Sequence, residues 1–198
     1  MNEIIQFFSH TTFNWSIIES VAVFFSMLYA ILVLKESIWC WGAAAVGSSL
    51  YIYICFSAQL YSQTSLQVFY LFMAFYGYYN WNKKEQYLEI SEWSIGKHLL
   101  ILAIGTTLIF LIGFYLSAYT NAKMPIVDSF TTVFSLFATY MVAKKILENW
   151  LYWIVIDAVL AYLYFSRDLH LTSLLFMTWT IIAVFGYFSW IKKMKRNA

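Results

Sequence analysis

The chain alternates between long apolar stretches and short polar breaks over its 198 residues. Each apolar stretch holds about 17–22 residues, which is enough for a helix to cross a hydrocarbon core of about 30 Å. Inside lipid the backbone polar groups have to be bonded within the segment, so each stretch is predicted to be a helix. The predicted transmembrane helices cover residues 17–34, 38–57, 61–81, 99–119, 126–143, 149–165 and 172–190. The predicted fold class is therefore an all-α integral membrane protein with seven transmembrane helices.

Three short motifs recur at a constant spacing of 109 residues, which indicates an internal repeat. The pattern predicts two three-helix repeats, at 17–81 and 126–191, joined by a linker transmembrane helix at 99–119. In membrane proteins such repeats are typical of transporters, with the substrate site between the halves. The recurring motifs are Glu19-Ser20 with Asp128-Ser129, Phe25-Ser26 with Phe134-Ser135, and residues 77–84 with residues 186–193.

The relative orientation of the two repeats follows from the number of crossings between equivalent positions. One repeat offset contains four predicted spans, an even number, so both three-helix units point the same way across the membrane. The linker helix supplies the inversion that this parallel arrangement needs. The resulting 3+1+3 plan resembles that of the SWEET sugar transporters.

Composition and charge agree with a membrane location and predict its orientation. Only 11% of the residues are charged and 62% are hydrophobic, whereas soluble domains carry about 25% charged residues. Ten of the twelve basic residues fall on one side of the seven-span arrangement, and positive segments stay cytoplasmic. The C-terminus is thus predicted to be cytoplasmic and the N-terminus outside. The ten are Lys35, Lys83, Lys84, Lys97, Lys144, Lys145, Lys192, Lys193, Lys195 and Arg196, and the other two are Lys123 and Arg167.

An acidic residue stands deep inside the sixth span, beside two tryptophans. Trp150, Trp153 and Asp157 are spaced i, i+3 and i+7, which places them on one face of a helix. A carboxylate there costs about 2.5–3.5 kcal/mol on insertion scales, so it normally faces a cavity. The aromatic pair would hold a flat ring, and a cationic ring would gain about 0.5–2 kcal/mol. The alternative is that Trp150 lies at the membrane interface and Asp157 bonds a neighbouring helix.

The third span adds polar and aromatic candidates. Gln67 lies inside an apolar run and needs a hydrogen-bond partner, either a substrate hydroxyl or carboxamide or a group on another helix. Tyr70 corresponds through the repeat to Trp179, and both are predicted to face a central cavity, with ordinary packing as the alternative.

The second span carries the tryptophans predicted to match those of the sixth. Trp39 and Trp41 are aligned with Trp150 and Trp153, with an offset of 112 for the second pair that implies a short insertion. In this alignment Ala45 stands at the position of Asp157. The halves would therefore share a scaffold and differ in site chemistry, as an asymmetric substrate requires.

Other kinds of chemistry lack a sequence signal. His10, His98 and His170 are scattered, and Cys40 and Cys55 lie in one apolar segment. No metal or cofactor site, phosphate loop or catalytic set is predicted, so an enzyme is not expected. The predicted partners are a small molecule and the lipid bilayer, without nucleic acid.

At these residues the chain resembles the PnuC family of vitamin transporters, best known for nicotinamide riboside. The resemblance covers about residues 17–192 and implies the 3+1+3 fold, a homotrimer and one substrate channel per protomer. It also implies uniport by facilitated diffusion across a bacterial inner membrane, with a cytosolic kinase trapping the substrate for NAD biosynthesis. The motifs are Glu148-Asn149-Trp150 with Trp153 and Asp157 (the family's WxxWxxxN/D pattern), Gln67-Val68-Phe69-Tyr70, and Tyr76-Gly77-Tyr78 with Trp81.

The substrate is open at this stage. Many nicotinamide riboside members of that family carry Asn where this chain has Asp157, and polar residues near Ala45 and Ala74. Thiamine also contains a cationic aromatic ring, so a thiamine or other vitamin transporter is the alternative within the family. A membrane receptor that binds without translocating is the alternative outside it. The residues predicted to bind substrate are Trp41, Gln67, Tyr70, Trp150, Trp153, Asp157 and Trp179.

Overall fold

The computed structural model describes residues 17–57, 61–82, 88–120, 124–166 and 170–197. Within these ranges the chain forms seven α-helices, and the predicted all-α class is confirmed. Apart from the helices there is one isolated bridge between Ser91 and Ile146. The helices are α1 (Ile17–Leu34), α2 (Trp39–Ser57), α3 (Tyr61–Trp81), α4 (Ile95–Tyr119), α5 (Pro125–Ala143), α6 (Asn149–Phe165) and α7 (His170–Asn197).

Five of these helices, α1, α2, α4, α5 and α7, are long and apolar enough to cross a membrane. Helix α6 is equally apolar but only 17 residues long. Helix α3 has 21 residues and is less apolar, because it carries polar side chains such as Gln63, Gln67 and Asn80. The structure also lengthens two predicted spans, since α4 begins at Ile95 and α7 continues to Asn197.

Six helices form a closed ring, in the order α1, α2, α3, α5, α6, α7 and back to α1. Helix α4 lies outside this ring, where it packs against α5. It also reaches α6 through a hydrogen bond of 3.0 Å between His98 Nδ1 and the Tyr152 hydroxyl. The division into two repeats and a linker stays a prediction, and the ring order supports it because equivalent helices have equivalent neighbours.

Two helix ends have the same unusual cap. After α1, the Ser37 N–H bonds the Leu32 carbonyl and the Glu36 N–H bonds the Val33 carbonyl, both at 2.9 Å. This pair of bonds is a Schellman motif, whose central residue adopts left-handed backbone and is usually glycine. Here that residue is Glu36, with φ of 54°.

The same motif closes α5, 109 residues later. Lys145 has φ of 51°, and its N–H and that of Ile146 bond the carbonyls of Val142 and Met141, again at 2.9 Å. Both caps lie at the end of the bundle that carries most of the basic residues, here called the lysine-rich end. The described basic residues of this end are Lys35, Lys97, Lys144, Lys145, Lys192, Lys193, Lys195 and Arg196.

Tryptophans in the two halves pack in the same way. Trp41 lies directly against Gly77 and forms an edge-to-face pair with Trp81, with ring centroids 5.3 Å apart. Trp150 lies directly against Gly186 and forms the matching pair with Trp190 at 5.4 Å. Trp41 therefore corresponds to Trp150 at the common offset. The predicted alignment of Trp41 with Trp153, through an insertion, is wrong.

Candidate functional site

The six ring helices enclose a cavity of about 410 Å³. Such a volume suits a small molecule, since ligand pockets span about 300–1,000 Å³. All seven residues predicted to bind substrate line this cavity, so the structure brings them together around one space. They are Trp41 from α2, Gln67 and Tyr70 from α3, Trp150, Trp153 and Asp157 from α6, and Trp179 from α7.

Asp157 gives the cavity its electrostatic character. It is the only charged residue among the described residues that line the cavity, and it is 6% exposed. Trp150 and Trp153 come from the same face of α6, as their spacing predicts, and both line the cavity with it. Tyr70 from α3 lines the same cavity. A recessed negative charge beside aromatic side chains favours a cationic aromatic ring.

A row of hydroxyl groups on α5, absent from the prediction, also lines the cavity. Thr131, Ser135 and Thr139 are buried and recur every four residues, which places them on one face of the helix. Thr131 Oγ1 donates to the Val127 carbonyl at 3.0 Å, and Thr139 Oγ1 donates to the Ser135 carbonyl at 2.7 Å. The oxygens keep acceptor capacity for a ligand, because a hydroxyl has two lone pairs besides its proton.

Equivalent positions of the two halves carry different side chains in the cavity wall. The residue 109 positions before Asp157 is Ser48, which is buried and lines the cavity. The predicted match between Asp157 and Ala45 is therefore wrong for the same reason as the tryptophan alignment. By the same offset Gln67 corresponds to Phe176. Among the described lining residues, the amides and the carboxylate come from α3 and α6, while α1, α2 and α7 supply only hydroxyl, indole and apolar groups.

Ala45 and Ala74, which left the identity of the substrate undecided, lie outside the cavity wall. Ala74 is buried and Ala45 is partly buried, and both pack in the apolar cluster around Trp41 and Trp150. Neither belongs to the described residues that line the cavity. Their small size therefore removes no hydrogen-bonding group from the cavity wall.

A ring of apolar helices around a mainly apolar cavity with one buried carboxylate is the arrangement of a membrane transporter for a small solute. The family model described as "Nicotinamide mononucleotide transporter" matches residues 16–192 of the chain. The chain belongs to this family, and it is a transporter of the family.

Individual relatives agree with this assignment. The chain is 25% identical to the nicotinamide riboside transporter PnuC of Escherichia coli K12, over 93% of this chain and 89% of that protein. It is 25% identical to PnuC of Neisseria mucosa, over 90% of this chain and 73% of that protein. The riboflavin/roseoflavin transporter RibM of Streptomyces davaonensis is 22% identical, over 83% of this chain and 79% of that protein.

The fold matches that of a solved transporter. The crystal structure of the vitamin B3 transporter PnuC superimposes with a TM-score of 0.73 at 22% sequence identity. The match covers 98% of this chain and 88% of the solved chain. The likeness therefore extends to the whole bundle, including α4 outside the ring.

Proposed function

We propose that the protein carries nicotinamide riboside across the membrane by facilitated diffusion, without changing the molecule chemically. The observation that carries this proposal is Asp157, the one buried carboxylate among the described lining residues, with Trp150 and Trp153 on the same cavity wall. Nicotinamide riboside is a cationic pyridinium ring on a ribose. Its ring offers a positive charge to the carboxylate and two flat faces to the indoles.

The rest of the cavity suits the sugar. Gln67 supplies one acceptor and two donors, and the hydroxyl row of Thr131, Ser135 and Thr139 lies on the adjacent helix. The ribose hydroxyls would bond these groups on the polar side of the wall. The names of the Escherichia coli and Neisseria mucosa relatives, both nicotinamide riboside transporters, support this choice of substrate.

Transport is proposed to be a uniport. Proton pumps and proton-coupled transporters carry chains of titratable groups through the membrane, whereas Asp157 is the single acid among the described lining residues. The substrate would then equilibrate, and a cytosolic kinase would retain it by phosphorylation and feed it into NAD biosynthesis.

We place the protein as a multi-pass homotrimer in a bacterial inner membrane, with the N-terminus outside and the C-terminus in the cytoplasm. The orientation rests on the positive-inside rule applied to the lysine-rich end. The trimer and the type of membrane rest on the family resemblance.

Calorimetric titration of the purified protein with four compounds tests the substrate: nicotinamide riboside, nicotinamide, the mononucleotide and thiamine. The riboside should bind most tightly. Nicotinamide lacks the charge and the ribose, so it should bind at least about tenfold more weakly, since tenfold is about 1.4 kcal/mol. The mononucleotide should fail to bind, because no lysine or arginine is among the described lining residues to receive its phosphate.

Thiamine is the second candidate, because its cationic thiazolium ring would satisfy Asp157 equally well. The relationship to a riboflavin/roseoflavin transporter supports a family cavity that accepts different flat rings. Tight thiamine binding without riboside binding would transfer the proposal to thiamine, and tight mononucleotide binding would contradict the description of the cavity. Equilibration of labelled ligand into liposomes separates a transporter from a receptor that only binds.

A further inference from the structure

Three charged side chains from both halves meet at the lysine-rich end. Lys145 Nζ donates to Glu36 Oε2 at 2.9 Å, and Lys193 Nζ lies 3.1 Å from Glu36 Oε1. The side chains of Lys145 and Glu36 are only 4% and 11% exposed, whereas that of Lys193 is 28% exposed. These three residues are called the charge cluster below. The cluster joins the cap of α1 to the cap of α5 and to the last part of α7.

The charge cluster lies behind the closed end of the cavity. Trp41 and Trp150 line the cavity, and Trp81 and Trp190 pack edge-on behind them. The ring centroids of Trp81 and Trp190 are 6.4 Å apart, so these two indoles meet where the two halves join. The ammonium of Lys145 lies over the Trp81 ring, 4.8 Å from its centroid, and neither residue is among the described lining residues.

Two further contacts hold the same end together. Trp190 Nε1 donates to the Val33 carbonyl at 3.2 Å, and Ser189 Oγ donates to the Leu34 carbonyl at 3.4 Å. Both bonds tie α7 to the end of α1. At the opposite end of the cavity the lining residue Gln63 is exposed, so the cavity approaches the surface there. Among the described residues, those at the lysine-rich end close the cavity.

The chemistry of the charge cluster suits a closure that has to open. An ion pair sealed from water is strong while it stays dry and weakens when water reaches it. Separation of the halves would hydrate both charges, so the contact holds the closed state and does not prevent opening. The left-handed backbone of Glu36 and Lys145 supports this role, because glycine would suit both caps better and could not form the pair.

We propose that the Glu36–Lys145–Lys193 charge cluster is the gate that closes the cavity at the lysine-rich end. The proposal rests on the proposed transport function, because a gate has meaning only for a molecule that passes. Opening separates Glu36 from Lys145 and parts Trp81 from Trp190. Substrate then leaves the cavity between α1 and α5 at their capped ends.

The test measures access to the cavity from the side of the C-terminus. Ser48→Cys places a thiol in the cavity wall, in a protein whose buried Cys40 and Cys55 are replaced by alanine. The gate variant Glu36→Gln/Lys145→Met removes both charges, which is tolerated far better than removal of one partner. A membrane-impermeant thiol reagent on that side should label the thiol at position 48 about tenfold faster in the gate variant than in the parent.

The matched control is Lys192→Met, which removes an exposed positive charge next to Lys193. Its labelling rate should equal that of the parent. An unchanged rate in the folded gate variant would overturn the proposal. Labelling needs no substrate, so this result is independent of whether nicotinamide riboside binds, which the titration reports separately.

A second double variant tests the gate if the first one does not fold. Glu36→Cys/Lys145→Cys is joined by a short thiol cross-linker that a reductant cleaves. The cross-link holds the gate shut. After cleavage the two cysteines cannot form the salt bridge of Glu36 and Lys145, so the labelling rate at position 48 should rise about tenfold. Equal rates before and after cleavage would contradict the gate.

Discussion

Trp41 and Trp150 lie 109 residues apart and occupy equivalent positions on the cavity wall, each packed on a glycine of the neighbouring helix. The glycines are Gly77 and Gly186, and a Cβ atom on either would overlap the indole ring. The two indole rings thus have room at the cavity wall because α3 and α7 each carry a glycine at the point of contact.

Replacement of either glycine should therefore damage the fold. Gly77→Ala or Gly186→Ala overpacks a buried indole, which typically costs about 1–3 kcal/mol, and should lower the melting temperature by about 2–10 °C. Gly42→Ala is the matched control, because a Cβ atom there meets nothing within 4 Å. Thermal unfolding in detergent measures all three. A drop for Gly42→Ala equal to the others would contradict this account, because alanine is the better helix former and its Cβ meets nothing there.

The charge of Asp157 should account for much of the affinity. Asp157→Asn keeps the size of the side chain and removes the charge, and should weaken riboside binding about 5–150-fold, or about 1–3 kcal/mol. Asp128→Asn is the control, because Asp128 lies in the first turn of α5 and outside the described lining residues. Calorimetric titration compares the two variants. Equal affinities for both would remove Asp157 from the binding site.

The direction of the chain across the membrane is testable with single cysteines. Glu89→Cys and Thr120→Cys place exposed thiols at opposite ends of α4, again with Cys40 and Cys55 replaced by alanine. In intact cells an impermeant reagent should label position 120 and leave position 89 unlabelled, since the positive-inside rule puts the lysine-rich end in the cytoplasm. The reverse pattern would invert the proposed orientation.

Transport should stop at equal concentrations inside and outside. Liposomes that contain the protein and no kinase should fill with labelled riboside to the outside level and no further. An imposed proton or sodium gradient should leave that plateau unchanged, because Asp157 is the single acid among the described lining residues. Accumulation above the outside level would show coupling and end the uniport proposal.

The sequence predicts the helices well because lipid imposes a simple rule on them. Apolar runs of a fixed minimum length become helices, and charged residues mark where they end. The bounds of α1, α3 and α6 agree with the predicted spans. Where the structure differs, as in α7, the helix continues beyond the apolar run into charged residues.

The polar residues of the cavity wall could be recognised in the sequence only where a polar group is unfavourable inside a membrane span. Asp157 and Gln67 attract attention because a carboxylate or amide inside a span needs a reason to be there. Thr131, Ser135 and Thr139 do not, since a hydroxyl is satisfied by its own helix and looks like packing. The alignment error around Trp41 arose from matching tryptophans by type, although the helical packing follows the constant offset of 109.

The salt bridge of Glu36 was beyond the sequence for a different reason. Glu36 and Lys145 each stand just after a predicted span, where a charged residue is expected to face water. Their burial arises only from the ring of helices, which brings the two caps together. Nothing local distinguishes them from Lys35 or Lys144.

Within the described residues, helix α4 gives the second half of the bundle a helix that the first half lacks. This helix packs on α5, and the segment before it is held by Glu148, which accepts the Trp93 N–H at 3.2 Å. Its outer face exposes large apolar side chains, among them Phe110, Leu111 and Phe114. The surface around the ring is therefore unequal, because in the described part of the chain only the second half presents a helix outside it.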